Sequence, residues 1–162
     1  MIEIERKYLL KGMPDVEPSE KIKIQQFYFK NKEGIWERAR QMDYGQGLKI
    51  FVHTIKTRIS DIANDEQEKT LTVEEFEKFK KKCRKYRGNS RFLKKERWIY
   101  PMGELKWEID LFKNDINMVI AEIEIPSEDY EVEIPEYVQK KLLMDVSGMK
   151  QFGNRSLSNK IR

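Results

Sequence analysis

The first ten residues alternate in character. Ile2, Ile4, Arg6 and Tyr8 share one parity, and Glu3, Glu5 and Lys7 share the other. A period of two predicts a strand with two carboxylates and an ammonium on one face. Gly12 and Pro14 end it. Strand patterns return over residues 22–29, 35–42 and 48–58, the last rich in β-branched side chains. Residues 31–34 and 43–47 carry the Asn, Asp and Gly of hairpin turns. A short strand over 66–69 and longer ones over 91–100, 104–112 and 118–125 bring the total to eight, with turns at 101–103 and 113–115.

The pattern leaves this period in three places. Thr72 and Glu75 form a capping-box signature, and Phe76, Phe79 and Cys83 follow at spacings of three and four. A helix to about residue 86 is predicted, stopping before Gly88. Pro135 predicts a second helix through about residue 144, and the tail beyond Gly148 holds a short last one. The expected architecture is α+β but mainly β, an eight-stranded antiparallel sheet closed into a barrel, with helices packed outside. Eight strands enclose a lumen just wide enough for a small ligand. The length suits one domain over 1–162, with a helical C-terminal segment over about 135–162.

Composition changes this picture in one respect. Charged residues are 37% of the chain, yet 32 basic side chains against 28 acidic ones leave a net charge of only +4. Arrangement therefore matters more than balance. The single Cys83 cannot form an internal disulfide, and no apolar run approaches the ~20 residues of a membrane span. Charges at positions 3, 5, 6 and 7 interrupt any signal-like start. A cytoplasmic protein without a membrane partner is expected.

The opening pattern recurs. Arg38 and Arg40, Lys56 and Arg58, Lys95 and Arg97 are basic pairs two residues apart; Glu66 and Glu68, Glu108 and Asp110, Glu122 and Glu124 are acidic ones. A solvated sheet face produces such pairs as well, but it usually mixes signs and includes Thr, Ser and Gln. Here the signs are segregated by strand, and the acidic pairs of WEID and AEIEI lie among residues that must be buried. If these faces point into a barrel, carboxylates approach one another. Two of them ~4 Å apart repel by roughly 4 kcal/mol at an effective dielectric of 20. They must hold protons or share a cation. An all-oxygen set suits Mg2+ or Mn2+. The basic set needs an anion, and arginine forks match phosphate oxygens.

These motifs, taken in order, resemble the CYTH or triphosphate tunnel metalloenzyme family. Glu3, Glu5 and Lys7 match its ExExK start; Gln26-Phe27-Tyr28 its QxY strand; Arg38-Ala39-Arg40 its RxR strand; Thr54-Ile55-Lys56 its TIK strand. Glu66-Gln67-Glu68, Lys95-Glu96-Arg97, Trp107 to Asp110 and Ala121 to Glu124 follow in the family's order. The resemblance implies a tunnel that hydrolyses triphosphates with a divalent metal or, in some members, cyclises ATP. It implies metal ligation by Glu3, Glu5, Glu122 and Glu124, with Asp110 and Glu108 near a second ion, giving two Mg2+ or Mn2+ per site. Lys7, Arg38, Arg40, Lys56, Lys95 and Arg97 would grip phosphates, and Tyr28 would influence substrate choice. Lys150, in a looser match of the C-terminal Lys150-Gln151-Phe152-Gly153-Asn154, would join them. Glu5, Asp110 and Lys56 are the expected catalytic groups.

The expected substrate is a small-molecule triphosphate, inorganic or nucleoside. Adenylate cyclisation and thiamine-triphosphate hydrolysis are the enzymatic alternatives, and a polyphosphate- or RNA-binding module is the non-enzymatic one. Six carboxylates argue against binding alone, so nucleic acid is not the expected partner; a homodimer stays open. His53 is expected to face out of the tunnel. Cys83 and the three tryptophans are expected to pack, and the basic run over 80–87 to form a solvated helix face with an electrostatic patch as its rival.

Overall fold

A computed structural model describes residues 1–161. The strands are β1 (Ile2–Leu10), β2 (Glu20–Lys30), β3 (Trp36–Gly45), β4 (Leu48–Arg58), β5 (Ala63–Leu71), β6 (Ser90–Met102), β7 (Leu105–Phe112) and β8 (Val119–Glu124). They run antiparallel in the order β6-β2-β3-β4-β5-β1-β8-β7, and β7 pairs back onto β6, closing the barrel. The closed antiparallel barrel of eight is the architecture that alternation and turn spacing predict. The β2–β3 turn shows how locally this is encoded: Glu33 and Ile35 both donate backbone N–H groups to Asn31 Oδ1 at 3.0 Å, and Gly34 takes a positive φ of 78°.

Closure separates two faces. On the outside, α1 (Val73–Lys85) covers β2, β3 and β4, burying Phe76, Phe79 and Cys83 against Phe27 and Ala39. Its capping box forms as expected: Glu75 N donates to Thr72 Oγ1 at 3.1 Å, and Thr72 N donates to the Glu75 carboxylate at 3.0 Å. Opposite, residues 125–142 cover a larger apolar cluster around Tyr8, Tyr100, Trp107, Ile109 and Ile123. Inside, Ile22, Ile24 and Ile99 fill one end with Met42 and Tyr44. At the other end Phe152 and Leu157 of the tail plug the barrel against Leu93, Phe112 and Ile120. The charged positions form the belt between these two apolar ends.

The C-terminal segment departs from expectation. The helix expected to run to about residue 144 is one turn, α2 (Glu136–Gln139), and Leu142–Asp145 form β9 instead. The cause lies in β1. Its first part pairs with β5 only as far as Ile4, which leaves the same edge of Tyr8 to Leu10 without a neighbour. β9 pairs with that edge and satisfies its backbone groups, an interaction that helix propensity cannot match. The tail then makes a 3-10 turn (Lys150–Phe152), α3 (Asn154–Leu157) and β10 (Asn159–Lys160), so the segment expected to be helical is mixed. Pro101 and Met102, expected in a turn, extend β6.

Candidate active site

β-Strand parity brings the predicted side chains to the inner face. Lys56 Nζ lies 3.2 Å from Glu3 and 2.9 Å from Glu66. Lys7 Nζ lies 3.6 Å from Glu5 and 3.7 Å from Glu122. Arg97 grips Asp110 with Nε at 2.7 Å and Nη2 at 2.9 Å, and reaches Glu108 with Nη1 at 2.8 Å. Lys95 Nζ donates to Asp110 Oδ2 at 2.7 Å and to Asn154 Oδ1 of the tail at 3.1 Å. Glu124 stands opposite Glu5 in the β1–β8 register but is exposed, at the rim of the charged belt.

Arg38 and Arg40 are different. Arg38, 7% exposed, donates Nη2 to Thr54 Oγ1 at 3.0 Å, and its buried Nε has no partner. Arg40 donates Nε to Gln26 Oε1 at 2.9 Å. Among the described residues neither guanidinium has a carboxylate within 4.0 Å. Two adjacent cations removed from water with only neutral partners are costly unless an anion joins them. Burial, then the neighbouring Arg38 and Arg97, push Arg40 down to about 10.

The acidic side is strained in the complementary sense. Burial pushes the Glu5 carboxyl up to about 8, with Glu122 and Glu3 adding to it and Lys7 opposing. Burial also works against Glu122, but Lys7 and Arg97 more than offset it and hold that carboxyl well below the usual range. Burial works against Lys7 likewise; Glu122 and Glu5 hold its ammonium above its ordinary value. At Asp110 one negative charge serves two cations. Arg97 takes both of its oxygens, and burial depresses Lys95 to about 7 despite the contact with Asp110.

A cavity of about 730 Å3 opens beside this belt. Glu5, Lys7, Tyr28, Arg38, Thr54, Lys56 and the exposed Lys150 line it. So do residues that sequence reasoning left aside. Trp36 lies on the inner face of β3 with the Arg155 guanidinium 5.1 Å from its ring centre. Arg58 also lines the cavity and donates to Asp61 and to the Gly148 carbonyl, tying the tail turn to the end of β4. Parity predicts the inward direction of both, since Trp36 is in phase with Arg38 and Arg58 with Lys56. His53 faces outward, 2.8 Å from Glu37 beneath Phe79, and Cys83 is buried on the barrel-facing side of α1.

The oxygen-only donor set of Glu3, Glu5, Glu122 and Glu124 fits a hard divalent cation in kind, and the raised carboxyl of Glu5 is a group that a cation would relieve. Among the described residues no three acidic, His or Cys side chains converge as a ready-made metal site. Lys7 and Lys56 stand between the carboxylates instead.

No family model matches the chain, and no curated protein matches it in sequence. Solved structures do match. The inorganic triphosphatase NE1496 superposes with a TM-score of 0.63 at 24% identity, over 98% of this chain and 95% of that one. A candidate adenylyl cyclase from Hippeastrum with a dominant triphosphatase activity gives 0.57 at 14% identity, over 77% and 80%. A candidate adenylate cyclase from Bacillus halodurans gives 0.56 at 16%, over 85% and 96%. The chain has the fold of these proteins, which is the fold its motifs imply. No helix among the described residues is long and apolar enough to cross a membrane.

Proposed function

We propose that the barrel is a divalent-metal-dependent triphosphate hydrolase, acting on inorganic triphosphate ahead of nucleotides. The observation that carries this reading is the inner pair Arg38 and Arg40. They are two largely buried guanidiniums without a carboxylate, facing a carboxylate wall whose Glu5 resists ionisation. That surface is complete only with an anion on one side and a cation on the other, as a metal–triphosphate complex supplies. The similarity to structures named as triphosphatases supports it.

Glu3, Glu5, Glu122 and Glu124 would hold the ion, and a second towards Glu108 and Asp110 would have to displace Arg97 and Lys95 from those carboxylates. Bound there, the metal would neutralise phosphate oxygens and favour the attacking water. Arg38, Arg40 and Lys56 would bind the chain of phosphates and stabilise charge gathering on the leaving group. Water attacks a terminal phosphorus, the P–O anhydride bond breaks, and orthophosphate and pyrophosphate leave. Glu5 would be the ligand most changed by the ion, since a bound cation favours the ionised form of a carboxyl that burial otherwise keeps protonated. Arg155 already occupies one face of Trp36, the larger of the two aromatic rings lining the cavity, which supports a substrate without a base.

The test is incubation with triphosphate, ATP and thiamine triphosphate in Mg2+ or Mn2+, with product identification. Metal-dependent phosphate release, fastest on inorganic triphosphate and lost in Glu5→Gln, is expected. Metal-independent release, or an unaffected Glu5→Gln, would overturn the reading, and cyclic AMP as the main product would replace hydrolysis with cyclisation.

A further inference from the structure

Gln26 is fully buried inside the barrel, directly opposite Arg40 in the β2–β3 register and two residues from Tyr28 on the same face. Its amide orientation follows from chemistry alone. Arginine only donates hydrogen bonds, so the group 2.9 Å from Arg40 Nε must be the amide oxygen. The amide nitrogen then faces Tyr28, 2.7 Å from its hydroxyl oxygen, and donates to it. The Tyr28 oxygen is thus an acceptor in this contact. Its own proton cannot point back at the amide nitrogen and turns elsewhere. Among the described residues no protein group accepts it, and Tyr28 lines the cavity.

We propose that Gln26 is a positioning residue that assembles an anion clamp from Arg40 and Tyr28. The neutral amide occupies only Arg40 Nε, leaving the two terminal nitrogens of the guanidinium for oxygens of the bound anion. By donating to Tyr28 it directs the phenolic O–H towards the lumen as one more donor. Its neutrality is the essential property. A carboxylate in its place would have nearly the same shape. It would neutralise Arg40 and accept the Tyr28 proton, so both donors would turn away from the substrate together. The inference rests on the triphosphate reading above and adds to it a reason for an amide at position 26.

The decisive variant is Gln26→Glu, measured beside the wild type and Tyr28→Phe for KM, kcat and melting temperature with inorganic triphosphate and Mg2+. Gln26→Glu supplies the missing counter-ion to Arg40, so it should melt no lower than the wild type. Its KM should rise roughly 10- to 100-fold, the range of one to two lost charge-assisted hydrogen bonds. Tyr28→Phe should raise KM in the wild-type background and change it less than twofold in Gln26→Glu, because the phenolic proton has already been turned away. A purely structural Gln26 predicts otherwise: equal KM in Gln26→Glu, and the same Tyr28→Phe effect in both backgrounds. Either result overturns the proposal. A Gln26→Glu chain that melts well below the wild type also overturns it, because Arg40 would then not be lacking a charge. Wild-type protein that does not hydrolyse triphosphate would refute the functional reading instead, and the two failures are distinguishable.

Discussion

The two basic pairs on β3 and β6 look alike as sequence, Arg-x-Arg and Lys-x-Arg on alternating strands, and the barrel uses them in opposite ways. Lys95 and Arg97 face β7 and find Asp110 and Glu108 within 2.7–2.8 Å, so that corner is neutral without any ligand. Arg38 and Arg40 face β2 and β4, which offer Gln26 and Thr54, neutral groups that can orient a guanidinium but cannot balance it. The difference is set by the neighbouring strand. On the proposed function, a cation opposite a carboxylate serves as part of the barrel wall, and a cation opposite an amide or hydroxyl serves to take an anion from outside.

The sharpest way to break this comparison is to delete the counter-ion on one side. Asp110→Ala takes from Arg97 its two-oxygen partner and from Lys95 its carboxylate, leaving Arg97 with Glu108 and the more distant Glu122, and should cost about 3–5 kcal/mol of stability in denaturant unfolding. Next in size is activity on the other side. Arg38→Gln and Arg40→Gln should each lower kcat/KM for triphosphate about 10²-fold or more, while the melting temperature holds or rises as an unbalanced buried charge is removed. If stability fell and turnover survived, the two corners would have been assigned the wrong way round.

A smaller effect reads the acidic wall directly. The Glu5 carboxyl is raised in the folded chain from an ordinary 4.5 to about 8. Between these values the folded state holds the proton more tightly than the unfolded one, so Glu5's contribution to metal-free stability is greatest below about 4.5 and lost as pH rises through 8. The stability of Glu5→Gln relative to wild type should therefore grow from pH 5 to pH 9, measured by urea unfolding in chelator. A flat difference would contradict the burial of Glu5 beside Glu122 and Glu3. Smallest of all, His53→Gln on the outer face should leave turnover within about twofold, since its side chain meets Glu37 and Phe79 outside the barrel.

Much of this was legible in the chain because β structure writes its faces at period two. The inward set from Glu3 to Glu124 followed from parity once closure was granted, as did the outward turn of His53. Three things were not legible, each for a physical reason. The inner face has apolar ends as well as a charged belt, and Ile22, Ile24 and Ile99 read as ordinary strand residues because alternation does not say how deep a position lies. β9 formed where helix was expected because the vacant edge of β1 lies some 130 residues away in the chain. The division of labour between Arg38-Arg40 and Lys95-Arg97 depends on which strand lies beside each, and that is a property of barrel order, not of either motif.

The central claim is that Arg38 and Arg40 wait for an anion whereas Lys95 and Arg97 do not. Its most direct test is the rise in melting temperature on adding inorganic triphosphate with Mg2+, compared between the wild type and Arg38→Gln/Arg40→Gln. The account predicts a clear, saturable rise in the wild type and none in the double variant at the same ligand concentration. An equal rise in both would contradict it, because the anion would then be held elsewhere in the barrel.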